Sequence, residues 1–262
     1  MSNDLYNAAC ALHRRMALAC TAAGDAGLPG TFRVWEQDGV LAVLVSDPGL
    51  DFLSTISGVT VDTVEAAIAL AEDPCWQEVS PFLVLSDEVS AACEPSLWAA
   101  DLWPTSERLT AVVRPTWMTS AASRTAESLS VVPAPPVTAG TQDPFTTVLL
   151  AGYQVHGPVA AFIDAEHRHP AVHRFLALEQ QTSIAAAGLT IHDGVAVLGG
   201  ASTLPARRGR GAQSALLQHR LGIAADAGVG SAVATATPDS VSARNLVAAG
   251  FAIHRQVRWQ HV

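Results

Sequence analysis

The sequence predicts a mixed α/β (α+β) protein, with a mainly antiparallel sheet flanked by helices and the chain divided into two units. Three observations predict it. Helical and strand periodicities alternate along the chain rather than segregating. Apolar runs are joined by Gln37-Asp38-Gly39 and His192-Asp193-Gly194, tight turns of the hairpin kind. A glycine-rich turn at 209–211 separates a strand-like run from a strong helix with one apolar stripe.

The elements follow in order. Leu5, Leu12, Met16 and Ala19 recur at helical spacing over 3–23, and Gly24, Gly27, Pro29 and Gly30 end that helix. Residues 31–36 and 40–45 form the first hairpin, and 52–59 a third strand. Residues 61–71 are helical, with Thr60 or Asp62 as cap. A short strand at 81–85, a helix at 90–100 and a strand at 108–113 complete the first unit. From 115 to 143 Thr, Ser, Ala and Pro dominate, and Val132-Pro133-Ala134-Pro135-Pro136 is extended by necessity. The boundary is set near 122, giving an N-terminal α/β unit, 1–122, and a second unit, 123–262.

A strand at 129–132 enters the second unit. Asp143-Pro144 opens a helix to Tyr153, and a second helix spans 158–166. Three strands follow at 173–179, 182–189 and 195–203, turning at Gln180-Gln181 and at 192–194. A helix at 211–227 carries Leu216, Leu217, Leu221 and Ala224 on one stripe. Strand 231–235, helix 240–249 and strand 251–260 end the chain.

Composition removes several function classes. All fifteen basic side chains are arginine. There is thus no lysine for a Schiff base, a Walker A loop or a kinase strand. Cys10, Cys20, Cys75 and Cys93 lack close metal spacing and read as reduced thiols of a cytoplasmic protein. His167-Arg168-His169 with His173 reads as a polar loop, and no metal is expected. Trp76, Trp98, Trp103 and Trp117 read as core. No apolar run is long enough to span a membrane, and the N-terminus has no signal-peptide pattern.

The net charge of −9 argues against nucleic acid as a partner. It is unevenly placed: residues 201–262 hold seven arginines and two acids, a local +5, whereas the first 200 balance at −14. A basic end suits a polyanionic ligand, and an acidic body suits a small cationic amine.

Chemistry concentrates after Val195. Strand 195–203 leads through Leu204-Pro205 into Ala206-Arg207-Arg208-Gly209-Arg210-Gly211-Ala212-Gln213 and a helix. Such a turn leaves backbone N–H groups pointing outward together, a site for phosphate oxygens that the helix dipole reinforces. Arg208, Gly211 and Gln213 fall on the pattern Arg or Gln, two residues, Gly, one residue, Gly or Ala, with Gln213 larger than the pattern has. Pro238-Asp239-Ser240, Ser242, Asn245 and Gly250-Phe251 follow at matching distance. In this, residues 127–262 resemble the Gcn5-related N-acetyltransferase (GNAT) superfamily.

The resemblance implies acetyl-CoA as cosubstrate. Ala201, Ser202 and Thr203 would offer backbone groups to the pantetheine. The turn Arg208, Gly209, Arg210, Gly211, Ala212, Gln213 would hold the diphosphate, and Ser242 and Asn245 would lie along the arm. The fourth and fifth strands of that fold part around the thioester. The small residues Gly199, Gly200, Ala201, Ala234 and Ala236 agree with such an approach, or with a sheet bulge. The family's tyrosine acid position is Leu246 here, so Ser242 or a water takes the role. The base is sought among Asp164, Glu166 and Glu179, and the acceptor contacts among Tyr153, Gln154, His156 and Glu166. Arg207 and Arg220 read as solvent-facing.

The first unit carries no motif of its own and is expected to be a degenerate copy that helps form the acceptor pocket. The order of parts looks similar to aminoglycoside 2′-N-acetyltransferases of the kasugamycin-modifying kind, which implies antibiotic resistance by acetylation. The alternatives are an acetyltransferase of an amino acid, a polyamine or a protein N-terminus, and a non-catalytic acyl-CoA module. The sequence leaves the oligomeric state open, a homodimer included.

Overall fold

The computed structural model describes residues 3–76, 79–115, 129–137 and 142–261. Helix α1 is Asn3–Asp25, followed by strands β1, Phe32–Gln37, and β2, Val40–Val45. Asp38 and Gly39 both have positive φ, 50° and 80°, the geometry that suits the twist of a two-residue hairpin. The turns at Gln180-Gln181 and Asp193-Gly194 repeat that geometry. The expected third strand shrinks to β3, Thr55–Ser57, behind a 3-10 turn at Asp51–Leu53. The cause is Ser54: its Oγ accepts from the Val45 N–H and donates to the Val45 carbonyl, replacing a ladder pair with a side chain. The next helix divides likewise. Thr60 and Thr63 form a capping box around a 3-10 turn, and α2 proper is Val64–Ala71. Strand β4, Phe82–Ser86, precedes α3, Asp87–Ala99, which starts early because Ser86 caps the Val89 N–H. Strand β5 runs Leu102–Val113.

The second unit has β6, Leu129–Pro133; α4, Pro144–Tyr153; α5, Gly157–Arg168; β7, His173–Glu179; and β8, Thr182–His192. Then come β9, Val195–Thr203; α6, Ala212–Asp226; β10, Ser231–Ala236; α7, Val241–Ala248; and β11, Ala252–His261. Among the described residues, eleven strands join one sheet in the order β1-β2-β3-β4-β11-β5-β10-β9-β8-β7-β6. The sheet is mainly antiparallel; β9 with β10 and β3 with β4 are the parallel pairs.

The two units interlock through their strands. β5, from the first, pairs with β10 from Ala232↔Val113 to Ala236↔Leu109. β11, the last strand of the chain, lies between β5 and β4. That explains why β5 begins six residues earlier than its pattern suggests: its first half has an exposed polar composition and is held by β11 alone. The expected boundary near 122 lies outside the described residues, and the sheet is continuous across both units.

Helix α1 crosses the sheet where the units meet. Its Ala8 and Ala11 pack on Val112, Val195, Val197 and Val233. Farther along, Ala19, Cys20 and Ala23 meet Phe162 of α5 and Val43 and Val45 of β2. Burial pushes the Cys20 thiol up to about 12. Trp76 is core, but Trp98 and Trp103 are 49% and 48% exposed, correcting their core assignment; Trp117 lies outside the described residues. Among the described residues, no helix is long and apolar enough to cross a membrane. None of their His, Cys, Asp and Glu side chains gather in threes fit for a metal.

Candidate active site

The site begins where two parallel strands separate. β9 and β10 pair only from Val195↔Ser231 to Val197↔Val233. Beyond Val197, β9 stays with β8 while β10 stays with β5. The backbone of β9 from Leu198 onward therefore faces a wedge rather than a strand. Within it the β8 register shifts between Gly188↔Gly199 and Ala187↔Ala201, leaving Gly200 as the bulged residue at φ +60°.

These glycines are required by their neighbours. A Cβ on Gly200 would overlap His167 Nε2, and one on Gly199 would lie 2.8 Å from Arg15 Cζ. His167 is 1% exposed, and burial keeps its imidazole pKa below the ordinary value. Its Nδ1 lies 2.8 Å from the Ile163 carbonyl, an acceptor only, so Nδ1 donates and Nε2 carries the lone pair.

The turn after β9 is built around Glu179. Arg207 Nη1 donates to its Oε2 at 2.9 Å, and Arg210 Nη1 to both carboxylate oxygens at 3.0 Å. Arg208 Nη2 donates to the Gly152 carbonyl at the end of α4. Gly209 and Gly211 have φ of 76° and 83°. No atom lies within 4 Å of a Cβ on Gly209, and only Leu129 Cδ1, at 3.9 Å, near one on Gly211. The first helical bond of α6 is from the Ala215 N–H to the Gly211 carbonyl, so the preceding N–H groups of the first turn have no helical acceptor. Gln213 Nε2 donates to Thr203 Oγ1, and Ser202 Oγ to the Leu149 carbonyl, tying turn, strand and α4 together. The result is an open cradle at the mouth of the wedge, with arginines on its rim and backbone N–H groups of the kind that bind phosphate oxygens.

On the α1 side the wedge opens into a cavity of about 220 Å³. Leu198 and Gly199 of β9 and Thr235 of β10 line it beside Arg15, Arg108 and Glu166. Arg15, 7% exposed, donates from Nε to Glu166 Oε1 at 2.8 Å and from Nη1 to the Val197 carbonyl. Burial pushes the Glu166 carboxyl up, but the Arg15 charge, the nearby His167 and the Arg15 hydrogen bond outweigh it and hold the pKa below the ordinary range. Tyr153 stands at the end of α4, its hydroxyl oxygen accepting from the Ala201 N–H at 2.8 Å. Its ring is 39% exposed, yet burial around the hydroxyl raises its pKa.

Set against the sequence analysis, Ala201, Ser202 and Thr203 end β9 along the wedge and residues 208–213 form the turn beyond it, the two tied by Gln213 and Thr203. Glu166 lies in the cavity and Tyr153 at the bulge. Glu179 has both oxygens on arginines and anchors the turn, which corrects its assignment as a base. Asp164 pairs with Arg168 at 2.7 Å and does not line the cavity. Gln154, in left-handed conformation at the end of α4, and His156 are exposed and also outside it. Ser242 is exposed on the first turn of α7, Asn245 is half-buried, and Leu246 is core. Arg220 was expected at the surface and is buried: it donates to the Leu216 and Gly188 carbonyls, and burial pushes its pKa down to about 10.

Sequence reasoning missed Arg15, Arg108, Thr110, Thr235 and Gln256. Arg15 left a signal. It stands three residues after Leu12 and four before Ala19, a charge inside the apolar stripe of α1. The others come from strands whose partners only the topology reveals.

Residues 142–251 match the model of the Acetyltransferase (GNAT) family. Among solved structures, a GCN5-related N-acetyltransferase from Kribbella flavida is 17% identical. That match covers 93% of this chain and 95% of that one, with a TM-score of 0.59. A GCN5-related N-acetyltransferase from Sphaerobacter thermophilus is 15% identical over 87% and 75%, TM-score 0.54. A tandem GNAT protein from the clavulanic acid biosynthesis pathway is 14% identical over 88% and 78%, TM-score 0.54. At these identities the likeness establishes the fold alone. No curated protein matches the chain. The family match is confined to segment 142–251, and the fold that contains it is shared with these structural neighbours.

Proposed function

We propose that this chain, whose residues 142–251 match the GNAT acetyltransferase family model, moves an acetyl group from acetyl-CoA to the primary amine of a small molecule. One observation carries the proposal: the open cradle at Gly209–Gln213 sits at the mouth of the β9/β10 wedge, and the cavity lies at its inner end. A ligand with a diphosphate at one end of a long arm and a reactive group at the other fits that arrangement.

Acetyl-CoA supplies an activated acyl carbon, so attack by the amine nitrogen forms a C–N bond and breaks the C–S bond. The N–H groups of the first turn of α6 hold the diphosphate, with Arg208 adding charge. The unpaired edge of β9 holds the arm. Tyr153 is suited to protonate the departing sulfur, the role that Leu246 leaves vacant. The Ala201 N–H occupies its oxygen, so its own proton is free to donate, and its raised pKa keeps it protonated at neutral pH. The proton lost by the amine goes to solvent. Glu166, held ionised by Arg15, is a weak base.

Gly211→Asp adds a side chain at φ +83° and a negative charge facing the diphosphate. Calorimetry will show CoA bound by the parent and weakened at least about a hundredfold by the variant. Equal binding by both, or none by the parent, would overturn the proposal. Tyr153→Phe will lower kcat about a hundredfold while leaving the CoA affinity in place, read by thiol release.

The aminoglycoside acceptor has little support from the cavity. At about 220 Å³ it is smaller than the roughly 300–1,000 Å³ of pockets for drug-sized ligands. Among the described residues that line it, Glu166 is the one carboxylate, and it is already paired with Arg15. A compact amine fits better.

A further inference from the structure

The charge of the cavity names its ligand. Among the described residues, two guanidinium groups and one carboxylate line it. Arg15 is more than nine-tenths buried, and its Nη2, also buried, has no hydrogen-bond partner among the described residues. Arg108 contributes Nε to Gln256 Oε1 at 2.8 Å, an oxygen that also accepts from Thr110 Oγ1. Among the described residues no carboxylate comes within ion-pair distance of Arg108. Burial, with Arg258 nearby, pushes its pKa down to about 10, the mark of a cation without a counter-ion. His13, also in the lining, is held neutral by burial. Glu166 therefore offsets one of two positive charges, and the cavity keeps a surplus cation.

Arg108 is partly buried, and a guanidinium drawn from water without a counter-charge is less favourable than one whose charge a ligand meets. We propose that the cavity takes an amine that also bears a carboxylate, a small α-amino-acid-like molecule, with Arg108, beside Arg15, holding the carboxylate and the amine turned toward the β9/β10 wedge. This rests on the acetyltransferase function proposed above and narrows its acceptor class. It reverses the expectation, drawn from the acidic body of the chain, of a polycationic acceptor. Net surface charge steers encounter at long range, whereas the groups lining the cavity decide what stays in it.

The test compares matched amines that differ only in the carboxylate: leucine against isoamylamine, phenylalanine against phenethylamine. Spermidine and glucosamine stand for the cationic and sugar classes. The full chain is incubated with acetyl-CoA, and acetylated product is counted by mass spectrometry. The acid of each pair is expected to react with at least tenfold higher kcat/KM, since a charge-assisted pair of hydrogen bonds is lost with the carboxylate. Arg108→Gln is expected to bring each ratio to within about threefold, chiefly through KM for the acid. The wild-type ratios test the proposal even if that variant fails to fold.

Equal reaction of both members of a pair, preference for spermidine or glucosamine, or an undiminished ratio in a folded Arg108→Gln would overturn it. Absence of any acid product while calorimetry still detects CoA binding would overturn the acceptor class and leave the acetyltransferase function standing. Absence of CoA binding would overturn both.

Discussion

Gly200→Val will lower the unfolding free energy by about 3 kcal/mol or more, the sum of left-handed strain and overpacking. Gly200 sits at φ +60° in the β9 bulge, where a β-branched side chain is strained whatever the space. The space is also filled: the new Cβ would overlap His167 Nε2. His167 has nowhere to retreat. Its ring is buried, its Nδ1 holds the Ile163 carbonyl, and Phe145 packs against it with centroids 5.4 Å apart. Gly188 also lies close, a Cβ there being 3.1 Å from His167 Nε2. Three chain segments thus meet at a point with no room for a methyl group. Urea unfolding followed by circular dichroism will show an earlier midpoint with an unchanged slope. His167→Ala in the same chain will recover part of the loss, because one term is steric overlap and the other is backbone strain. A midpoint equal to the parent's would mean that the bulge is not tightly held.

The contrast between what was legible in the sequence and what was not follows the range of the forces involved. Local signals wrote most elements. Asp38-Gly39 and Asp193-Gly194 turn as their residue types dictate, and Asp143 caps α4 by accepting from the Phe145 N–H. Gly209 and Gly211 mark the cradle because a left-handed backbone needs glycine. The exchange of β5 and β11 between the units left no local mark, since a strand's own pattern says which face is buried and not which strand lies beside it. The cavity shares that blindness. Arg15 and Glu166 are 151 residues apart, and Arg108 and Gln256 meet only because β11 lies beside β5. Glu179 misled for the same reason. As a carboxylate near a turn it was a fair base, until Arg207 and Arg210 folded back onto it.

Glu166→Gln will destabilise the chain by about 3 kcal/mol, because it leaves the Arg15 guanidinium buried without its counter-charge. Glutamine keeps the volume and an acceptor oxygen, so the loss reports charge rather than packing. The wild type carries a pH signature of the same pair. The folded-state pKa of Glu166 lies below its unfolded value, so the ion pair contributes fully above the unfolded pKa, about 4.3. That contribution disappears as pH falls through the lower folded value and both states become protonated. Stability measured from pH 7 down to pH 3 should therefore fall more steeply in the wild type than in Glu166→Gln, the two curves converging at the acid end. Parallel curves would show that the pair adds nothing. Arg15→Met with Glu166→Leu removes both charges at once and should lie closer to the parent than Glu166→Gln alone, since a buried ion pair replaced by apolar groups is often nearly neutral. If the double variant is stable but inactive on every acceptor, the pair is held in the cavity for the ligand and not for the fold.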